Sequence, residues 1–495
     1  MGFFSDLWTG IKSVFKGPSN KDNLFSLDSR VPFRNAVPFG MQHILAMFAA
    51  NVAPIIIVFK AIGLEGTGFA TYSMLGALFM AGLGTIIQLF LGARLPVVIG
   101  TAFTFVPVFI TVGRTIPDTE TAYYTIMGSI VFGGLFAIVF SLFYKWWGKL
   151  IKPIVPAIVV LGVGLSLLSS GANSFLGGET IITNMINTGK TGTGVPYFCY
   201  IIVALVTLLA TLLWTIFVKG VWKNINIVIG IAVGYIVSCC IPGMIDYNSM
   251  AVTEAVGSHG VVDYPHFLDL TKLRFELVPC LLVSICFIAT IVEAIGNTTT
   301  VAKAGVGREV TVREINGALV AYGFNCSLGA LFGALPQTTY AQNVGIVAQN
   351  KVVNRFTIFI GAMFLLIASF FPPVANFIYS IPDAVIGGTM VILFGSIAVI
   401  GMRSISDIGW SDKNVLITAI SVCLGFGLTI ATVTLNMSGD IALSTDLFKA
   451  AGLEWLGDLL ANNVLNMFII SFVLSWVLPE SMHVSLFHKK DEKEG

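Results

Sequence analysis

Apolar runs of about 20 residues, the length that carries a helix across the hydrocarbon core of a bilayer, follow one another along this chain with only short polar connections between them. They predict membrane spans at 38–60, 68–92, 95–112, 121–144, 154–170, 197–218 and 224–245. A second set is expected at 277–302, 315–334, 335–350, 354–379, 382–402, 414–436 and 461–479. The expectation is an all-α polytopic membrane protein with fourteen transmembrane segments, an even number that leaves both ends of the chain on one side.

Two of these runs break the pattern. The tenth, around Pro336-Gln337-Thr338-Thr339-Tyr340-Ala341-Gln342-Asn343-Val344-Gly345, carries Pro, Gln, Thr and Asn where lipid-facing residues would be expected. The third, Leu95-Pro96-Val97-Val98-Ile99-Gly100-Thr101-Ala102-Phe103-Thr104-Phe105, is likewise short and interrupted by Gly, Pro and Thr. Backbone that is not helical at membrane depth must be enclosed by protein or line a wet cavity, because lipid offers it no hydrogen bonds. Interrupted segments at matching places in two halves of odd span number are the mark of an inverted repeat, here 7+7, with the site between them. Short antiparallel strands are therefore expected where the two segments meet, around Ala102-Phe103 and Tyr340-Ala341.

Composition agrees with the pattern. The chain is 56% hydrophobic and 11% charged, with a mean hydropathy of +0.89, against roughly 25% charged residues in soluble domains. The net charge of +1 and the lack of a basic stripe set nucleic-acid binding aside. Basic residues favour the cytoplasmic side of a membrane, which tests the span count independently. With the N-terminus inside, the inner connections and ends hold 21 of the 27 Lys and Arg, and the outer ones hold Lys60, Arg114, Lys190, Lys272, Arg274 and Lys449. The outer connections 171–196, 246–274 and 437–460 are rich in Gly, Thr, Asn and acids and are expected to be loops. Residues 1–37 do not read as a cleaved signal. Phe3, Phe4, Leu7, Trp8, Ile11, Val14 and Phe15, opposite Lys12 and Lys16, suggest a short amphipathic helix on the membrane surface or else an unstructured tail. The seven cysteines lack metal-ligand spacing and are expected to be small buried packing residues. No metal or other cofactor is called for.

Candidate chemistry is sparse at membrane depth. Glu293 lies deep in the eighth span, where a charge costs about 2.5–3.5 kcal/mol on insertion scales. It reads as a substrate or proton site, or else as a protonated acid in a helix–helix hydrogen bond. Asn297, one turn on, points to the same face. His43 in the first span either titrates and positions Glu293 or is a neutral histidine bonded to a carbonyl. Gln342 and Asn343 sit in the broken tenth span, and an amide offers one acceptor and two donors to a planar ligand edge. Gly100 and Gly345 would permit close approach of backbone, and Phe103 could stack on a ring. Paired carboxylates, a histidine cluster and an activated nucleophile are absent, so an enzyme is not expected.

These residues resemble those of the nucleobase/ascorbate transporter family, the nucleobase:cation symporters. The likeness rests on Gln342-Asn343-Val344-Gly345, Gln42-His43-Ile44-Leu45-Ala46-Met47, Gly100-Thr101-Ala102-Phe103 and Val292-Glu293-Ala294-Ile295-Gly296, four motifs in order. The chain departs from the family pattern at Asn297, where many members carry Asp or His, at Tyr322, where a family Asp precedes Gly, and at Asn350, in place of a signature Thr. The resemblance implies a core domain (38–144 and 277–379) and a gate domain (154–245 and 382–479). The cytoplasmic ends, 1–37 and 480–495, flank them, in a homodimer within the inner (plasma) membrane. It implies base recognition by Glu293 and Gln342, with Asn343, Asn297 and backbone around Ala102, Phe103 and Ala341, and proton coupling or positioning through Glu293 and His43. Gln342 favours an oxidised purine, xanthine or urate, imported by proton symport through alternating access. Uracil or another nucleobase, sodium coupling or uncoupled transport, and an inorganic anion are the alternatives.

Overall fold

The computed structural model describes residues 12, 14, 15, 19–64, 67–219, 225–245, 262–437 and 462–480. Helix α1 spans Phe33–Ala61 and α2 Gly68–Phe90; strand β1 is Ile99–Thr101, followed by a 3-10 turn, Phe103–Phe105, and α3, Val106–Thr115. Next come α4 Thr119–Leu142, α5 Ile154–Ser166, α6 Leu168–Phe175, α7 Glu179–Thr188, α8 Tyr197–Phe217 and α9 Asn226–Cys239. The second half holds α10 Leu277–Thr300, which runs on as a π-helical turn to Val306, α11 Val312–Leu331, β2 Gln337–Thr339 and α12 Ala341–Asn350. Beyond these lie α13 Arg355–Ala368, α14 Pro372–Tyr379, α15 Asp383–Ile408, α16 Asp412–Met437 and α17 Asn463–Val477.

Among the described residues, seven helices are long and apolar enough to cross a membrane, and four shorter apolar helices accompany them. The protein is thus a helical integral membrane protein. Polar side chains set the helix ends: Asp118 accepts from Thr121 N (2.8 Å), Thr311 and Glu314 form a capping box, and Asn354 accepts from Thr357 N (3.1 Å). Each cap satisfies amide groups that a helix start leaves open.

Helices sort into two packing groups. In one, α4 packs on α10 and α11, and α13 packs on α1 and α2. In the other, α5 packs on α15 and α17, α8 on α9 and α15, and α16 on α17. Contacts of α10 with α5, and of α1 with α9, join them.

The two interrupted segments meet as expected, by antiparallel pairing of β1 with β2, Ile99 against Thr339 and Thr101 against Gln337. The strands lie earlier than the sequence suggested. Ala102 and Tyr340 are the residues that precede the helical turns, and Phe103 and Ala341 already belong to those turns. The reason is local: the β-branched residues Ile99 and Thr101, and Thr338 and Thr339, are upstream and favour extended backbone. The ladder continues at both ends through Ala102 N to Pro336 O (2.7 Å) and Tyr340 N to Val98 O (3.1 Å), and Ile99 N donates to Thr85 Oγ1 (3.1 Å).

Other expectations need correction. The connection 171–196 is not all loop; it contains the end of α6 and all of α7. The span 354–379 is two helices, since Pro372 and Pro373 begin a new one. Cys280, Cys286 and Cys326 are buried, but Cys199 is only partly buried and Cys239, Cys240 and Cys423 are exposed: Cys239 and Cys240 close the end of α9 and Cys423 lies on α16, where among the described residues no other helix covers the thiol, which is apolar enough for a lipid-facing position. Of the amphipathic N-terminal stretch, most lies outside the described residues. Val14 is fully buried, and Phe15 packs edge-on against Phe356 and Phe359, so this part seats on the helix bundle. Most of the 246–274 connection and nearly all of 437–460 also lie outside the described residues.

Candidate functional site

The crossing of β1 and β2 leaves two helix N-termini, those of the Phe103 turn leading into α3 and of α12, at opposite ends of a three-residue ladder. Helix α10 packs against both strand-to-helix junctions and against β2. Each helix N-terminus carries about half a positive charge, which favours an anion by roughly 0.3–1 kcal/mol. Glu293, 8% exposed, lies on α10, the helix that packs against these junctions.

Asn297, one turn after Glu293 on α10 and buried like it, ties that helix to the crossing: its Nδ2 donates to Thr339 O (2.8 Å) and Thr339 Oγ1 (3.1 Å). The i, i+4 spacing puts both side chains on one face of the helix. Asn343 on α12 reaches α1 by donating from Nδ2 to the main-chain oxygen of His43 (3.1 Å). His43 is buried and meets the site through that carbonyl, while its ring Nδ1 has no partner among the described residues. Among the described residues, no hydrogen bond joins the His43 ring to Glu293. Ala102 and Ala341 are buried at the two junctions, as is Phe103, whose ring packs edge-on against Phe394 of α15 (5.4 Å between centroids). Phe103 thereby touches the second helix group.

Several buried polar atoms have no partner among the described residues: Gln342 Nε2, Asn343 Oδ1, both amide atoms of Gln42, and His43 Nδ1. Leaving such a group unmet costs about 1–3 kcal/mol. Their concentration on α1 and α12 is what a site that receives a hydrogen-bonding ligand would show. Gly345 does not serve close backbone approach, because the space where its side chain would project is open.

Two supporting residues escaped the sequence reading. Asn51 is fully buried on α1, and its Oδ1 accepts from Thr101 N (2.9 Å) and Thr101 Oγ1 (3.1 Å). Tyr340 hydroxyl donates to Thr101 O (2.9 Å). Together they pin β1 from both sides. Asn51 was visible as a polar residue in an apolar run, eight positions after His43. The role of Tyr340 required the strand register.

The chain matches the Permease family over residues 34–435. It is 30% identical over 422 residues to the xanthine permease XanQ of Escherichia coli strain K12, covering 83% of this chain and 87% of that one. To the xanthine permease of Bacillus subtilis strain 168 it is 30% identical over 408 residues, 80% of this chain and 86% of the relative. Among solved structures, the transmembrane domain of a cyanobacterial bicarbonate transporter, BicA, is similar with a TM-score of 0.54 at 18% identity, over 78% of this chain and 94% of that one. Murine Slc26a9, an anion transporter in the inward-facing state, gives 0.54 at 12% identity, over 82% and 69%. At such low identity these two speak for the transporter fold alone, whereas the family match spans most of the chain. The protein belongs to the nucleobase/ascorbate transporter family of permeases.

Proposed function

We propose that this permease imports a purine nucleobase, xanthine or urate, by proton symport, and that the two helix groups move against each other to alternate access. The observation that carries the proposal is the buried Glu293 carboxyl on α10, the helix that packs on β2 and on both strand-to-helix junctions, with unmet amide groups on α1 and α12. A ring N–H pair of the base would donate to Glu293, each charged hydrogen bond contributing about 1.5–3 kcal/mol. The Gln342 amide would meet the carbonyl and N–H of another edge, and the Phe103 ring would lie against the base. Ionised Glu293 is needed to accept both bonds, so protonation and base binding are linked. A proton moving through 100 mV supplies about 2.3 kcal/mol, enough for roughly fiftyfold accumulation.

The packing supports the 7+7 arrangement, because helix pairs recur when each is replaced by its counterpart seven spans away. The pair α4–α11 corresponds to α2–α13, α4–α10 to α1–α13, and α8–α9 to α16–α17. On this reading α1–α4 and α10–α14 form the core domain, α5–α9 and α15–α17 form the gate domain, and both termini are cytoplasmic. The exposed apolar stripe Phe198, Ile202, Leu205, Leu209 and Leu212 on α8 would face lipid or a second copy in a homodimer.

Uptake of radiolabelled xanthine into proteoliposomes, with imposed proton or sodium gradients and a panel of competing bases and anions, tests the proposal. Glu293→Gln is expected to lower uptake at least roughly tenfold, since one charged hydrogen bond exceeds the 1.4 kcal/mol that a factor of ten represents, and to flatten its pH profile. Unchanged uptake and pH profile in that variant would overturn the role of Glu293. Competition by uracil but not xanthine would move the substrate to a pyrimidine. Competition by bicarbonate alone would favour an anion, which a carboxylate in the site opposes.

A further inference from the structure

We propose that Lys60 and Asp383 form a latch between the core and gate domains, made and broken once in each transport cycle; this rests on the two-domain reading above. Lys60 Nζ lies 2.7 Å from Asp383 Oδ1. Lys60 stands in the last turn of α1, and Asp383 in the first turn of α15. These are the outer ends of both helices in the topology that the distribution of basic residues favours. Five further ion pairs among the described residues each stay within one domain. Lys272 pairs with Glu120, Lys303 with Glu309 and Arg308 with Glu314 in the core, while Lys152 and Lys413 share Glu480 in the gate.

The setting suits a contact that must open. A cation at a helix C-terminus and an anion at a helix N-terminus are each stabilised by the helix dipole. When the domains part, neither charge is left without support. The side chains are 31% and 21% exposed, so water can reach both on separation. A fully buried pair would leave an uncompensated charge on opening, and a fully exposed pair would hold almost nothing. The loop before α7 makes room for the acid. A side chain at Gly178 would fall 2.2 Å from Asp383 Oδ2, so that position accepts none without moving the latch. At mid-depth the two domains meet through the rings of Phe103 and Phe394, an apolar contact that can slide. The ion pair is directional and therefore selects one register, the one closed at this face.

Two arms test the latch, in a variant with Cys199, Cys239, Cys240 and Cys423 replaced by Ser. In the first, Lys60→Cys/Asp383→Cys is bridged by a reversible bis-methanethiosulfonate reagent, with each single-cysteine variant as a control. Bridging is expected to lower xanthine uptake at least roughly tenfold, with recovery on dithiothreitol, while equilibrium binding of xanthine in detergent persists. A bridged carrier that turns over at the unbridged rate overturns the proposal. Loss of xanthine binding in bridged and unbridged protein alike would count instead against the assigned substrate. The second arm needs no substrate: Ala341→Cys is labelled from the outer side with a membrane-impermeant maleimide, with and without Lys60→Ala/Asp383→Ala. Faster labelling without the ion pair is expected, and an unchanged rate overturns the latch.

Discussion

A methyl group at Gly100 would fall 2.5 Å from Tyr340 Cε2, 2.7 Å from Asn51 Oδ1 and 2.8 Å from Met47 Cε. Tyr340 and Asn51 both hold Thr101, so neither can retreat without loosening β1. Overpacking of this kind costs about 1–3 kcal/mol. Gly100→Ala is expected to lower the Tm in detergent by a few °C and to weaken ligand binding. Gly345→Ala is the contrast: open space surrounds the position and α12 is helical there, so alanine is expected to leave the Tm unchanged or raise it, by roughly 0.5–1 kcal/mol of helix preference. Differential scanning fluorimetry of the two variants checks both. The sequence showed both glycines in motifs and assigned them the same role. Their difference depends on which neighbours the fold brings within a few ångströms, and those around Gly100 lie on α1 and just before α12, far away in the chain.

At the scale of the element, the segment before α1 acts as a strap on the α12–α13 connection. Asn354 Nδ2 approaches the carbonyls of Asn23 (3.0 Å), Ser26 (3.2 Å) and Ser29 (3.0 Å). Val353 N and Arg355 N donate to Leu24 O and Leu27 O. The Arg355 guanidinium is buried and bonds Asp28 from Nε (2.7 Å) and Leu89 O from Nη1 (2.9 Å). Asp28→Asn would remove the charge opposite a buried guanidinium. The cost is about 1–3 kcal/mol, below the 3–5 kcal/mol of a fully buried pair because Asp28 is 37% exposed. A Tm lower by a few °C, with the bound-state affinity for the base little changed, is the expected outcome in a melting and binding comparison. The strap was not legible beforehand. Asp28 and Arg355 looked like ordinary charges near span ends, and their pairing links positions 327 residues apart.

At the scale of the molecule, Glu480 after α17 ties the second helix group together, accepting from Lys152 before α5 and Lys413 at the start of α16. Trp476 adds its indole N–H to Leu150 O (2.8 Å) and lies under Lys152. The hydrogen bonds from Lys152 and Lys413 hold the Glu480 carboxyl below the usual carboxylate range. A depressed folded value means the tie contributes stability above the unfolded value of about 4.3. That contribution is lost as the pH falls through the lower, folded value. Neutral pH therefore leaves it intact. The Tm of the protein is expected to fall between pH 5 and pH 3 more steeply than that of Glu480→Gln, and parallel curves would refute the tie.

Long apolar runs, basic residues gathered on one side, and two interrupted segments in matching halves were written in the chain, because lipid imposes length, charge placement and backbone satisfaction locally. The buried carboxylate stood out for the same reason: few acids occur at that depth without use. Only the tertiary structure decided that Ile99–Thr101 pairs with Gln337–Thr339, that Asn51 and Tyr340 brace the crossing, that Asn297 ties α10 to β2, and that Lys60 meets Asp383. Each of these joins residues more than 40 positions apart in distance along the chain or depends on a strand register, and inside a bundle of similar apolar helices no local pattern says which faces meet.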